Sequence, residues 1–133
     1  MTGGELAASA AALVGTPFRL NGRDPATGLD CIGLLAAALG RPDALPTGYT
    51  LRLRDHLRWL PDPEPLGFVM TEGDARPGDV VLLRVGPTQH HLAIAAAPAG
   101  WLHAHAGLRC VVRQPSLPDG ERLGHWRLID SKD

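Results

Sequence analysis

The sequence predicts an α+β domain in which two helices come before an antiparallel β-sheet. Residues 1–40 contain two Ala- and Leu-rich segments that are bounded by Gly and Pro. From residue 79 onward, short apolar segments are separated by turns that contain Gly or Pro. Because helices followed by a run of strands are typical of α+β proteins, we expect the helices to pack on the sheet. The 133 residues suit a single domain, 1–133.

The two helices are predicted from composition and from their boundaries. In residues 4–14 Ala and Leu dominate, and Glu5 lies in the first turn, where a negative charge suits the helix dipole. Residues 16–29 contain Asn-Gly, Asp-Pro and Thr-Gly turn signals and predict a loop. Residues 30–39 predict a second helix that ends before Gly40. It is apolar on nearly every side, so we expect it to be buried.

The rest of the chain predicts mainly strands. Residues 41–78 give few signals, apart from a short amphipathic helix predicted over residues 51–60. The predicted strands, each bounded by a turn, cover residues 79–85, 89–97, 100–107, 108–113 and 125–129.

Composition and charge argue against several classes of protein. The formal net charge is −1 and no block of basic residues occurs, so a nucleic-acid partner is not expected. The N-terminal segment has no positively charged start and only a weak apolar run, so no signal peptide is predicted. No apolar stretch reaches the roughly 20 residues that span a bilayer, so membrane insertion is not expected.

Cys31 is the candidate nucleophile. It is predicted at the N-terminus of the second helix, where unpaired N–H groups stabilise a thiolate and can bind an oxyanion. Asp30 could cap this helix, and Gly28 and Gly33 would leave room near the thiol for a substrate. The alternative interpretation is a buried structural cysteine. Cys110, in the apolar segment LRCVV, is interpreted in that way, although one disulfide between the two cysteines is arithmetically possible.

Four of the six histidines cluster in two neighbouring predicted strands. His103 and His105 point to the same face, because side chains alternate along a strand. If the two strands form a hairpin around residues 98–100, His91 and His103 lie nearly opposite each other. Such a pair would supply a base for Cys31 and a second polar group that orients the base.

Two other interpretations of the histidines stay open. The His-His and His-x-His pattern offers three imidazoles to a metal ion, although zinc sites usually include a carboxylate or cysteine at a suitable spacing. Histidines also lie exposed or hydrogen-bonded on sheets, which is our expectation for His56, His90 and His125.

Five segments carry a resemblance to a known family: VGTPFRLNG, GLDCIGLL, RPGDVVLLR, HHLAIA and WLHAHAG. In this order, and over residues 11–112, they resemble the NlpC-type cell-wall peptidases, which are papain-like cysteine peptidases. The resemblance implies a papain-like fold and hydrolysis of peptide bonds in peptidoglycan stem peptides, with no cofactor. It implies that Cys31 is the nucleophile, His91 the general base and His103 the residue that orients the base.

The resemblance is strongest to a branch found in phage tails and gene transfer agents. Members of that branch are short, lack signal peptides and carry segments similar to PTGYTLR and HWRLI here. This implies a tail-tip component with other tail proteins as partners. Such a protein is made in the bacterial cytoplasm, carried in a tail, and acts in the periplasm or cell wall to open it during DNA delivery.

Two departures from the family pattern concern the rate of the reaction. Phe18 stands where the family usually has Tyr, and it cannot donate a hydrogen bond to an oxyanion or substrate. Ile32 replaces the usual Ser after the nucleophile, which is tolerable because an oxyanion hole needs the backbone N–H. The alternatives are therefore a weakly active or silent structural plug of a tail tip, or an amidase or acyltransferase on the same fold.

Overall fold

A computed structural model describes residues 1–41, 67–86 and 89–129. These ranges contain two helices and eight strands, which in chain order are α1 (Gly3–Ala11), β1 (Arg23–Asp24), β2 (Gly28–Leu29), α2 (Cys31–Ala38), β3 (Phe68–Met70), β4 (Val80–Gly86), β5 (Gln89–Ala95), β6 (Trp101–His105), β7 (Cys110–Gln114) and β8 (Glu121–Leu128). The predicted α+β class, with helices before an antiparallel sheet, is confirmed.

Helix α1 begins with a capping box. The Thr2 hydroxyl accepts from the N–H of Glu5, and the Glu5 carboxylate accepts from the N–H of Thr2. The helix ends at Ala11, earlier than predicted, and is followed by a turn through Gly15. The segment predicted as a loop contains the short antiparallel ribbon of β1 and β2.

Helix α2 is capped as predicted, and nearly all its residues are buried. The Asp30 carboxylate accepts from the N–H of Gly33 at 2.8 Å and from the N–H of Asn21 at 2.7 Å. It also pairs with Arg23 at 3.2 Å. One carboxylate therefore joins the helix N-terminus to the loop that precedes it.

The six-stranded sheet has the order β3-β8-β4-β5-β6-β7, and its neighbouring strands are antiparallel. Strand β8 follows the other described strands in sequence but lies inside the sheet, between β3 and β4. It is longer than predicted, and β3 was not predicted at all. The amphipathic helix predicted over residues 51–60 lies outside the described residues.

The core lies mainly between the helices and one face of the sheet. Leu6 of α1 and Leu34 of α2 belong to the same buried cluster as Leu82, Leu92 and Leu102 of the strands. A smaller cluster forms on the opposite face, and its buried members are Val81, Leu83 and Ala93. Strand alternation separates the two clusters and fixes which residues face the helices.

A buried carboxylate ties β8 to the start of β4. Asp79 accepts from His125 Nε2 at 2.7 Å, from Arg127 Nε at 2.9 Å, and from the N–H of Arg76 at 3.0 Å. Burial acts to raise the pKa of Asp79, but the bonds from Arg127, Arg76 and His125 outweigh burial and hold this pKa below its usual range. His125 is therefore hydrogen-bonded on the sheet, as expected. Neither described helix is long and apolar enough to cross a membrane.

Candidate active site

One cavity of about 180 Å³ contains all three residues predicted to be catalytic. Cys31 reaches it from the start of α2, His91 from β5 and His103 from β6. His90 and His105 also line it. Cys31 is 60 or more positions away from His91 and His103 in the chain. The three residues meet here because α2 packs against β5 and β6.

Cys31 is the first residue of α2, and its side chain is only 3% exposed. Burial, with a further contribution from the Asp30 carboxylate, raises the pKa of the Cys31 thiol to about 12. Backbone amides of Leu92, Ile32 and Cys31 itself act in the opposite direction. The amides at the helix N-terminus thus favour the thiolate, as expected, but burial and the Asp30 charge act against it and have the larger effect on this pKa.

The imidazoles form a hydrogen-bonded chain across three adjacent strands. His91 Nε2 lies 2.7 Å from His103 Nδ1, and the two rings meet edge to face. His103 Nε2 lies 2.6 Å from Oε1 of Gln114 on β7. This series of hydrogen bonds runs from β5 through β6 to β7, so the strand pairing of the sheet sets its geometry.

Gln114 determines where the protons lie. An amide oxygen only accepts, so His103 Nε2 must carry a proton and donate it. In a neutral His103 the Nδ1 atom is then an acceptor, and His91 Nε2 is the donor to it. Neutral His91 is left with an unprotonated Nδ1. This is the tautomer that a general base requires.

Both rings are held in the neutral form. Burial, then the neighbouring His103 and His105, lowers the pKa of His91 to about 4. Burial also lowers the pKa of His103, against the opposing hydrogen bond of Gln114. The raised pKa of Cys31 and the lowered pKa of His91 both favour a neutral thiol beside a neutral imidazole in the resting site. The hydrogen-bonding partners of Cys31 in the described part of the chain are backbone amides and include no imidazole.

The hairpin register differs by two residues from the prediction. Strands β5 and β6 pair Ile94 with Leu102 and Ala95 with Trp101. Continued along the strands, this register sets His91 opposite His105, so that His91 and His103 meet diagonally rather than face to face. Diagonal neighbours remain within reach of long side chains, which is why the predicted pair still forms.

The two glycines next to Cys31 have a different role from the predicted one. A Cβ on Gly33 would lie 1.9 Å from the carbonyl oxygen of Gly22, and one on Gly28 would lie 2.7 Å from Cβ of Arg19. The space beside these glycines is filled by the chain itself, not left open for a substrate. Gly33 allows the backbone at Gly22 to pack closely against α2, and Gly28 allows close packing against Pro17 and Arg19.

The remaining residues that the sequence analysis named differ in burial and in position. Both cysteines are free, and Cys110 is half-buried rather than buried. His90 is buried, Phe18 lines the cavity without offering a donor, and His56 lies outside the described residues. In the described ranges no group of three or more His, Cys, Asp or Glu side chains has the arrangement of a metal site.

Sequence reasoning missed Gln114. It is the second residue beyond Val112, which pairs with His103 on the neighbouring strand. A polar residue at that diagonal position is the signal that could have identified it, once β6 and β7 were recognised as partners.

The fold is similar to those of solved NlpC and NlpC/p60 proteins. No family model and no curated protein matches the sequence. NlpC1 from Trichomonas vaginalis aligns with a TM-score of 0.66 and 21% identity, over 93% of this chain and 44% of that chain. The NlpC/p60 domain of the peptidoglycan hydrolase SagA aligns with a TM-score of 0.60 and 22% identity, over 96% and 98%. The peptidoglycan hydrolase RipB from Mycobacterium tuberculosis aligns with a TM-score of 0.59 and 19% identity, over 94% and 63%.

Proposed function

We propose that this chain, which has the fold of NlpC/p60 domains, is a cysteine peptidase that hydrolyses peptide bonds in peptidoglycan stem peptides. The observation that carries the proposal is the hydrogen-bonded chain from His91 through His103 to Gln114, in one cavity with Cys31. Support for the substrate comes from two solved structures of the same fold, which are described as peptidoglycan hydrolases.

The reaction begins from a neutral site. Nδ1 of His91 accepts the Cys31 proton as the sulfur attacks the amide carbonyl carbon, so that a C–S bond forms and the carbonyl π electrons move to oxygen. The backbone N–H groups of Cys31 and Ile32 lie at the start of α2 beside the sulfur, and in the reaction they would donate to the oxyanion instead of the thiol. Substrate must bring sulfur and imidazole together, since catalytic hydrogen bonds commonly tighten only in the complex.

The imidazolium formed in this step is stabilised by its neighbour. Protonated His91 keeps its Nε2–H bond to Nδ1 of His103, which is in turn fixed by Gln114. When the oxyanion collapses, the C–N bond breaks and His91 returns its proton to the leaving amine. A water molecule, deprotonated by His91, then hydrolyses the thioester and restores the free thiol.

The biological setting is proposed from the sequence resemblance alone. The segments PTGYTLR and HWRLI support a component of a phage or gene-transfer-agent tail tip, made in the bacterial cytoplasm and acting in the periplasm or cell wall. Its partners would be other tail proteins. Detection of this chain by mass spectrometry in purified tail particles would test the setting, and its absence from them would contradict it.

One observation favours a second candidate function. Phe18 lines the cavity, and the family that the sequence resembles usually has Tyr at this position; the loss of one such donor can raise a barrier by roughly 2.7–4 kcal/mol. A weakly active or silent plug with the same fold is the function that this residue supports. An amidase or acyltransferase is a third candidate function, and its products differ from those of a peptidase.

Digestion of purified muropeptides, followed by mass spectrometry, tests these functions together. We expect wild-type protein and the Cys110→Ala control to cleave a bond within the stem peptide, and the Cys31→Ala variant to leave it intact. Equal cleavage by Cys31→Ala would remove the nucleophile assignment. No cleavage by wild type, where the SagA domain cleaves the same sample, would favour the plug. Release of the whole stem peptide, or transfer of an acyl group, would indicate amidase or acyltransferase chemistry.

A further inference from the structure

His105 lines the cavity but has no part in the reaction described above. It is the last residue of β6 and is partly exposed to the cavity. Its ring centroid lies 5.6 Å from that of His103. It is also close enough to His91 to contribute to the lowered pKa of that ring, so it lies beside the reacting groups.

The turn that follows β6 fixes the ring of His105 and its tautomer. The N–H of Leu108 donates to His105 Nδ1 at 3.0 Å. An Nδ1 atom that accepts carries no proton, so the proton of the neutral ring lies on Nε2. The ring also packs over Gly107, where an added Cβ would lie 3.0 Å from its Cε1 atom. His105 therefore presents a positioned N–H donor, and no described residue accepts from its Nε2.

The surrounding wall explains what this donor is for. Most other residues that line the cavity are apolar, among them Phe18, Val85, Ala104 and Pro118. A peptide that enters has carbonyl oxygens on both sides of the bond to be cut, and each loses water partners there. A buried carbonyl oxygen without a hydrogen-bond partner makes the free energy of binding less favourable. A donor that is already positioned in the cavity wall, such as Nε2–H of His105, would therefore favour binding of the peptide.

We propose that His105 is a substrate-binding residue whose Nε2–H donates a hydrogen bond to a carbonyl oxygen of the bound peptide. This inference rests on the proposed function and adds a residue to it. His105 is not a base in the reaction, because its Nδ1 is engaged by the turn and its Nε2 carries a proton. It supplies a donor in a cavity where Phe18 supplies none.

Two substitutions separate binding from a structural role. In His105→Gln the side-chain amide N–H reaches about as far as Nε2, while the bond from Leu108 is not reproduced. In His105→Asn the Oδ1 atom can still accept from Leu108, but no donor extends into the cavity. Each is made in the Cys31→Ala background, and the dissociation constant is measured by calorimetry for the muropeptide that SagA cleaves.

We expect His105→Asn to weaken binding about 3- to 10-fold, the effect of one hydrogen bond, and His105→Gln to stay within about 2-fold of its parent. In the active background, the same change should appear in KM more than in kcat. If His105→Asn binds like its parent, the inference is overturned. If His105→Gln loses as much affinity for the muropeptide as His105→Asn does, or more, the ring acts only by holding the turn, and the inference is again overturned.

The same titration keeps the inference separate from the proposed function. A Cys31→Ala parent that binds no muropeptide overturns the proposed function, and with it the role of His105. A parent that binds while His105→Asn is unaffected overturns the role of His105 alone.

Discussion

Alkylation of Cys31 by iodoacetamide should become about tenfold faster with each unit of pH between about pH 6 and about pH 10. The reason is the buried environment, which raises the pKa of the thiol to about 12. Only the thiolate reacts, and below the pKa its fraction rises tenfold per unit. The slope, and not the absolute rate, is the measured quantity, because burial also slows access of the reagent.

The magnitude follows from the pKa. At about pH 8 a thiol of pKa about 12 is ionised to about one part in ten thousand, whereas an ordinary cysteine of pKa about 8.5 is ionised to about one quarter. The thiolate population of Cys31 is thus about three orders of magnitude lower. A thiolate–imidazolium pair would instead react at a constant rate from about pH 5 upward.

The assay uses the Cys110→Ala variant, so that one thiol remains, and follows the mass of the protein with time. The same variant in guanidinium chloride is the control, because its exposed thiol should show a rate that levels off above about pH 9. A folded-state rate that is constant below about pH 9 would refute the reasoning. It would mean that Cys31 rests as a thiolate and that the neutral-pair mechanism is wrong.

Two further predictions concern the residues that support the site. Gln114→Leu removes the acceptor of His103 Nε2 and should lower kcat roughly tenfold and the free energy of unfolding by about 1–3 kcal/mol. The control Gln114→Glu keeps an acceptor and should retain most of the activity and most of the stability. If kcat and stability are unchanged in Gln114→Leu, the tautomer of His103 is set by another group. Gly33→Ala places a Cβ 1.9 Å from the carbonyl oxygen of Gly22 and should cost about 1–3 kcal/mol in urea unfolding, whereas wild-type stability would show that the loop yields easily.

The features predicted correctly from the sequence are those with local signals. The two helices carry caps and Gly stops, and the Asp30 cap follows from its position before an apolar segment. Strands β4 to β7 carry alternation and turns. The pairing of His91 with His103 was predicted from strand alternation and a hairpin, and their meeting with Cys31 from the resemblance of five segments to a known family.

The features that were missed depend on tertiary packing. The turn closed by the bond from the N–H of Ala96 to the carbonyl of Gly100 shifts the hairpin register by two residues, and loop length alone did not show this. The pKa of Cys31 depends on burial beneath the sheet and on the Asp30 charge, neither of which a helix position reveals. The role of Gly33 depends on a partner backbone at residue 22.

The place of β8 inside the sheet has a consequence for a chain that is still emerging from the ribosome. Strands β4 to β7 are neighbours in sequence and can pair as soon as they are synthesised. Until β8 follows, however, β4 has an open edge, and the carboxylate of Asp79 lacks His125 and Arg127. A nascent or truncated chain that stops short of residue 121 would therefore offer an unpaired strand beside exposed apolar side chains, which is the arrangement that leads to aggregation. The sheet is therefore completed only after β4 to β7 have been made, and β8 is the strand that covers the edge of β4.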